Sequence, residues 1–337
     1  MSKLLRLGVI GCGSIADPIA MLTRWTRGIT IAAYCDVNVA CASSLAAKYG
    51  GGAIYDNYVI MLEEEDLDAV YMAVPHHLHY EMIRAAIEKG LPTLTEKPIT
   101  RTLAEGIAIT RMAEEMDIPV GVNYQYRYDR GCYALAQHAW NGTLGEIFYA
   151  RVNLAWHRDN GYIENAPWHK TIAQAGGGTL ITQASHLIDV VLWALHAKPT
   201  TVYGQTASKR FLDVEVEDTA LGTLTLENGC VVQIASSMAA TPEQPVTIEL
   251  YGEKGTAIYT DKPRPHLTLR GVKARHVMPP FFGVHALHRS IKGFRNWVRE
   301  GEPYLTPARE SLPALAVVEA FYQSAESGKS EMVNTDF

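Results

Sequence analysis

From Leu4 the chain runs through a short apolar stretch, LLRLGVI, into glycines and then a helical pattern, and this order recurs through the first 120 residues. ITIAAYC reads as a second strand, VACASSLAAKYG as a helix stopped by glycines, DAVYMAV as a third strand, HYEMIRAAIEKG as a helix and PTLTE as a short strand. Strands that alternate with helices imply parallel pairing through right-handed crossovers, an α/β doubly wound sheet. After about residue 143 the apolar period shortens to two. EIFYARVNLAW, PTTVYGQTAS, TALGTLTLENGCVVQIASSM and TIELYGEKGTAIYT alternate as strands, and turn dipeptides such as Asn228-Gly229 predict an antiparallel sheet with hairpins. The helix-like HALHRSIKGFRNWVREG and ESLPALAVVEAFYQSAESG close the chain. No internal repeat, low-complexity tract or flexible linker intervenes, so a compact hinge is expected near residue 122, dividing a domain of 1–122 from an α+β domain of 123–337.

Composition narrows the partners. The chain has 337 residues, 47% hydrophobic and 20% charged, enough for two cores. A net charge of -6, with 30 basic residues scattered along the sequence, offers no patch for nucleic acid or an anionic membrane. The N-terminal MSKLLRLGVIGCG shows no long apolar h-region, small-residue cleavage site or twin arginine. No later stretch is expected to reach the roughly 20 apolar residues that cross a bilayer. A cytoplasmic protein with no nucleic-acid or membrane partner is the expectation. Cys12, Cys35, Cys41, Cys132 and Cys230 are odd in number, far apart and without a C-x-x-C pair, as reduced packing residues would be.

The chemistry begins at Gly11-Cys12-Gly13-Ser14-Ile15-Ala16, between the first strand and its helix. Gly11 permits the tight turn, Gly13 lets the backbone of a pyrophosphate cradle with Ser14 and Ile15 come close, and a small residue at 16 allows helix to pack on strand. Asp36 ends the second strand, where a carboxylate accepts hydrogen bonds from the adenosine ribose. That carboxylate repels a 2′-phosphate, and Val37 and Asn38 supply no cation to bind one, so NAD is favoured over NADP.

Val74-Pro75-His76-His77-Leu78-His79 follows the third strand. Its histidines lie in a turn opening a helix with no Cys, Asp or Glu to complete a metal set, so no metal site is expected. The backbone of Val74 and Pro75 is expected against the cofactor with His79 at the helix start; solvent-exposed loop histidines are the alternative. Thr95-Glu96-Lys97-Pro98 closes a strand and places a lysine at its carboxyl end. GGGTLITQASHLID, residues 176–189, runs three glycines into a helical pattern whose spacing sets Thr182, His186 and Asp189 on one face.

Taken together, GCGSIA, VPHHLHYEMIRAAIEKG, TEKP, VNYQYRY at 122–128, GGGTLITQASHLID and ALAVVEAFYQSAESGK resemble the Gfo/Idh/MocA family of NAD(P)-dependent oxidoreductases over nearly the whole chain. The resemblance implies an N-terminal Rossmann domain that binds NAD, with Glu96, Lys97 and Asn123 among its cofactor contacts. It also implies a C-terminal substrate-binding domain whose large, mostly antiparallel open sheet builds a homodimer or homotetramer. The implied reaction moves a hydride between NAD and a hydroxyl carbon of a sugar, sugar acid, polyol or nucleotide sugar.

In such a site His186 is the base, since imidazole is the side chain that changes charge near neutral pH. Lys97 steadies the developing alkoxide or exchanges the acid and base roles with His186, while Thr182 and Asp189 support and orient them. Relatives often carry aspartate where this chain has Thr182, and a hydroxyl can only hydrogen-bond, which argues against a Lys-Asp-His triad. Trp156, Arg158, Tyr162, Trp168 and Gln183, with Arg127 after the hinge, are the expected contacts to a carbohydrate-like substrate. Packing tryptophans and solvated charges are the alternative. Two other functions stay open: an NAD-dependent, redox-neutral glycosidase, and a non-catalytic NAD-binding sensor.

Overall fold

The computed structural model describes residues 4–273 and 277–337 and divides them into two compact units. In the first, β1 (Leu5–Ile10), α1 (Ala16–Arg24), β2 (Ile29–Cys35), α2 (Val39–Tyr49), β3 (Ala53–Tyr55), α3 (Tyr58–Glu64), β4 (Ala69–Met72), α4 (His76–Glu88), β5 (Thr93–Thr95), α5 (Leu103–Glu115) and β6 (Val120–Val122) alternate along the chain. The sheet order is β3-β2-β1-β4-β5-β6, with every pairing parallel. All four residues of β4 are buried, as expected of a strand covered on both faces. The predicted strands and helices correspond to β1, β2, β4, β5, α1, α2 and α4. Parallel strands bring the turns after β1, β2, β4, β5 and β6 to one edge of the sheet, where open α/β sheets bind ligands.

The second unit holds α6 (Arg130–Trp140), β7 (Ile147–Ala155), two single turns α7 (Gly161–Glu164) and α8 (Ile172–Ala175), and α9 (Ser185–Leu195). Strands β8 (Pro199–Ala207), β9 (Thr219–Leu226), β10 (Val231–Ser237), β11 (Thr247–Gly252), β12 (Thr256–Thr260), β13 (His266–Arg270) and β14 (Glu331–Met332) complete it. With β7 they form one sheet, ordered β13-β12-β11-β7-β10-β9-β8-β14. Among the described strands of this sheet, only the β7–β10 pair is parallel. Ala150, Val152, Leu154, Val232, Ile234, Ile248 and Leu250 are buried on one face. Tyr203, Leu221 and Val231 stand exposed on the other, the period-two pattern of a sheet covered on one side.

The last two helices part company. α10 (Ala286–Glu300) returns to the first unit and packs on α1, burying Ile291 and Phe294. α11 (Ala308–Ser327) carries the chain back, and Phe321 lies so close to Gly204 of β8 and Gly222 of β9 that a Cβ at either would sit 2.4–2.5 Å from its ring. The units are therefore Met1–Gln125 with Phe281–Glu310, and Tyr126–Pro280 with Ser311–Phe337, where the sequence suggests one boundary near 122. An amphipathic period announces a buried face but does not say which core it meets.

One expectation from composition needs correcting. Ile172–Leu195 is long and apolar enough, by length and composition, to cross a membrane; here most of it is buried inside the fold, around α9.

Candidate active site

In the first unit, Gly11 has φ 85°, and a Cβ there would lie 2.2 Å from the Ala73 carbonyl oxygen at the end of β4. Glycine is thus required by both conformation and contact. Gly13 differs, because nothing lies within 4 Å of the place its Cβ would occupy. Its absent side chain leaves a cradle open beside the start of α1, a helix that no side chain caps, and Ala16 is fully buried beneath it. The Asp36 carboxylate is fixed by the backbone N–H groups of Cys12 and Asn38, each donating at 2.8 Å. Both oxygens keep a lone pair for a ribose hydroxyl. Val37 is 93% exposed, and its chain neighbours Asp36 and Asn38 carry no positive charge. These residues fit the diphosphate and adenosine ribose of NAD.

His79 is fully buried, so the exposed-loop alternative falls. Its Nδ1 lies 2.8 Å from the Pro98 carbonyl oxygen and its Nε2 3.0 Å from that of Val74. The ring therefore ties the turn after β4 to the turn after β5, which carries half-buried Lys97 and a cis Lys97–Pro98 peptide. Burial, with a smaller push from the Lys97 charge, holds the pKa of His79 below the usual imidazole value.

The side chains of Glu96 and Asn123 bond to each other. Asn123 donates to Glu96 Oε1 at 2.6 Å, and the Tyr71 hydroxyl donates to the same oxygen. Asn123 Oδ1 accepts from Ser290 of α10 at 2.8 Å, and Ser290 meets Tyr304 at 2.7 Å. Burial raises the Glu96 pKa against the opposing pull of these donors, and pushes Tyr304 up to about 12. The network anchors Lys97 through its neighbour in the chain. Its long-range partners, Ser290 and Tyr304, have no local signal in the sequence.

In the second unit the triple glycine has a specific cause. Gly177 has φ 150°, with its missing Cβ 2.1 Å from the Tyr322 hydroxyl; the missing Cβ of Gly178 would be 1.7 Å from the Glu217 carbonyl oxygen. That oxygen accepts from Thr179 N–H at 3.0 Å. The Glu217 carboxylate accepts from the N–H groups of Gly178 at 2.7 Å and Leu180 at 2.9 Å and from the Tyr322 hydroxyl at 3.0 Å. It thus closes the N-terminal end of a helical segment whose first turn, Leu180–Ala184, is π-helical before α9 begins. Burial raises the Glu217 pKa, and the three donors oppose that rise. Neither Glu217 nor Tyr322 was found from sequence; the ED dipeptide at 217–218 gave no signal of a partner about forty residues earlier.

The π turn alters the expected face, because its wider turn breaks the 3.6-residue spacing between Thr182 and His186. Thr182 donates to the Gly178 carbonyl at 2.7 Å. His186 packs against the Tyr126 ring at 5.3 Å. Asp189 turns to Arg127, whose Nε and Nη2 donate at 2.9 and 2.7 Å, and the guanidinium lies 5.4 Å from the Trp193 ring. Arg127 is therefore a buried partner of Asp189. Charge pairing outweighs exposure here because an unpaired buried charge costs several kcal/mol, roughly 3–5.

The other expected substrate residues do converge. Arg158 lies over the rings of Trp156 at 4.8 Å and Tyr162 at 5.6 Å, and its Nη2 donates to Gln183 Oε1 at 3.3 Å. Gln183 donates to the Tyr162 hydroxyl at 3.1 Å, which also reaches Thr182. Tyr162 stacks on His169 at 4.2 Å and His169 on Trp168 at 3.7 Å. Aromatic faces, an amide and a guanidinium thus form one wall beside the segment that carries His186.

Residues 5–124 match the NAD-binding Rossmann fold of an oxidoreductase family, so the first unit belongs to a nicotinamide-dependent oxidoreductase. Residues 133–258 match the family's C-terminal domain, and the chain belongs to the Gfo/Idh/MocA family. Among curated relatives, D-glucoside 3-dehydrogenase of Escherichia coli K12 is 27% identical across 97% of each chain. D-xylose 1-dehydrogenase (NADP(+)) 2 of Haloferax volcanii is 25% identical across 96% of this chain and 98% of that one. The WlbA dehydrogenase of Bordetella pertussis, crystallised with NADH and UDP-GlcNAcA, shares the fold with a TM-score of 0.87 and 24% identity, over 99% of this chain and all of that one.

Proposed function

We propose that this protein is an NAD-dependent oxidoreductase that moves a hydride between the cofactor and a hydroxyl-bearing carbon of a carbohydrate or polyol. The observation that carries the reading is the sheet edge of the first unit, where one row of turns holds the open Gly13 cradle, the fixed Asp36 carboxylate and Lys97. The names of the curated relatives support the substrate class. NAD, when bound, supplies the hydride acceptor or donor. The chain's own residues handle the proton and the oxygen. His186 takes the hydroxyl proton, and the Lys97 ammonium stabilises the alkoxide charge that develops. Thr182, whose hydroxyl donates to the Gly178 carbonyl, supports the segment that carries His186. The Arg127–Asp189 pair positions α9 and does not touch the reacting atoms.

The open sheet face supports a homodimer or homotetramer, since Tyr203, Leu221 and Val231 stand exposed along it and apolar patches of this kind mark interfaces. Sedimentation at micromolar concentration should give a multiple of the chain mass; a monomer would refute the assembly.

The activity is tested by absorbance at 340 nm with NAD and with NADP over hexoses, inositols, sugar acids and nucleotide sugars. Wild type is run beside Lys97→Ala and His186→Ala. NADH formation that falls about 10²–10⁴-fold in the variants, with NAD still bound, is expected. Tight NAD binding without turnover of any member would overturn the dehydrogenase reading. Sugar released from a glycoside at constant NADH would instead identify redox-neutral cleavage.

A further inference from the structure

The charges around the second unit's wall do not balance locally. Asp189 is paired with Arg127, and Glu217 is held by two backbone N–H groups and Tyr322. Asp218 accepts from the N–H groups of Lys209, Arg210 and Phe211. Glu243 is ion-paired with Lys262 and feels Arg158 only as a weak, more distant charge. Asp159 and Glu164 are exposed and form no ion pair with Arg158. Each buried carboxylate here thus has an internal partner.

Arg158 is the exception. Among the described residues its guanidinium makes no ion pair; its partners are the Gln183 amide, a long 3.5 Å contact to the His157 carbonyl, and the Trp156 and Tyr162 rings. A guanidinium has five N–H donors, and these contacts leave most of them unused. The two rings and the amide fix its plane, so the fork is oriented before any ligand arrives. The adjoining helical segment presents Thr182, Gln183 and His186, none of which is an acid that could repel an anion. His169 and Lys170 add basic groups to the same stretch.

We propose that the substrate is an anionic carbohydrate, whose carboxylate or phosphate oxygens pair with Arg158 while the C–H face of its ring lies on Trp156 or Tyr162. This deepens the function proposed above and rests on it. A planar, preoriented guanidinium gains two parallel charge-assisted bonds from a carboxylate or phosphate, whereas a neutral hydroxyl leaves its charge unmatched. The aromatic faces suit the apolar side of a pyranose and provide a cation–π bed that limits the desolvation cost of the arginine.

The test titrates the NADH-loaded protein with matched sugars: glucose, glucuronate, glucose 6-phosphate, and galactose with galacturonate. Tryptophan fluorescence reads binding, with 340 nm turnover of the same sugars in NAD alongside. An acidic member should bind at least about tenfold more tightly than its neutral counterpart. That ratio should collapse towards one in Arg158→Gln and recover in part in Arg158→Lys, with NADH binding as the check that both variants fold. The uronate and phosphate arms show which oxyanion is taken. Equal binding of neutral and acidic members, no binding of any acidic member, or a ratio that survives in Arg158→Gln would overturn the proposal. Arg158-dependent binding of an acidic sugar without turnover would uphold the anion site and sink the dehydrogenase reading. Turnover of neutral sugars without acid preference would do the reverse.

Discussion

Arg127 and Asp189 face each other as two forks, joined at 2.9 and 2.7 Å with side chains only 3% and 1% exposed. Removing one partner strands the other charge in the interior. Arg127→Met should therefore lower the unfolding free energy by about 3–5 kcal/mol, while Arg127→Met combined with Asp189→Leu should cost far less. Urea denaturation of the two variants checks this; equal losses would mean that the pair contributes mainly packing.

Glu217 and the triple glycine form a second joint. Gly178→Ala would drive a Cβ into the Glu217 carbonyl oxygen, 1.7 Å away, where the nearest atoms are all Glu217 backbone rather than a flexible side chain. We expect insoluble protein or a loss beyond the roughly 1–3 kcal/mol typical of overpacking. Glu217→Gln is milder, because its amide turns a donor towards an N–H, and should cost about 1–3 kcal/mol. It should also lower kcat more than it raises KM, since it disturbs the helix that carries His186. A Glu217→Gln enzyme with wild-type kcat would show that the carboxylate only stabilises the fold.

His79 makes stability depend on pH in a defined direction. Burial keeps its folded pKa below the ordinary 6.5, so beneath that value the unfolded chain takes up the proton first. Stability from this residue is intact above pH 6.5 and declines as the pH falls towards the folded value. Wild type should thus exceed His79→Gln by more at pH 7.5 than at pH 5, measured by urea midpoints at each pH. A difference that grows on acidification would reverse the assignment.

Asp36 sets the choice of nicotinamide. Asp36→Ala should weaken NAD binding by about tenfold, the value of a hydrogen bond to a charged group. Asp36→Ala with Val37→Arg should bind NADP better than the wild type does. Calorimetry with both dinucleotides gives the answer, and unchanged NAD affinity in Asp36→Ala would remove Asp36 from the cofactor site.

The doubly wound sheet was legible because its strands are apolar runs separated by helical periods, a local signal. Gly11, Gly13, Ala16 and Asp36 were legible for a similar reason, since a turn, a close approach and a strand end are fixed within one β-α-β unit. What could not be read was pairing at a distance. Glu217 meets Gly178 across 39 residues and Asn123 meets Ser290 across 167, and no periodicity encodes such partners. For Arg127 the sequence shows the charge but not its pairing with an aspartate 62 residues later. The π turn at Leu180–Ala184 was equally hidden, because the same side chains write a plausible α-helix.

The return of Phe281–Glu310 to the first unit sets an order on biosynthesis. Glu96 and Asn123 leave the ribosome early, yet Ser290 and Tyr304, which complete their network, come more than 160 residues later. At typical elongation rates that interval is on the order of 10–30 s. The cofactor-binding half therefore begins the chain but finishes folding only after nearly all of the other half has been made, and during that interval the buried polar groups beside Lys97 lack their final partners.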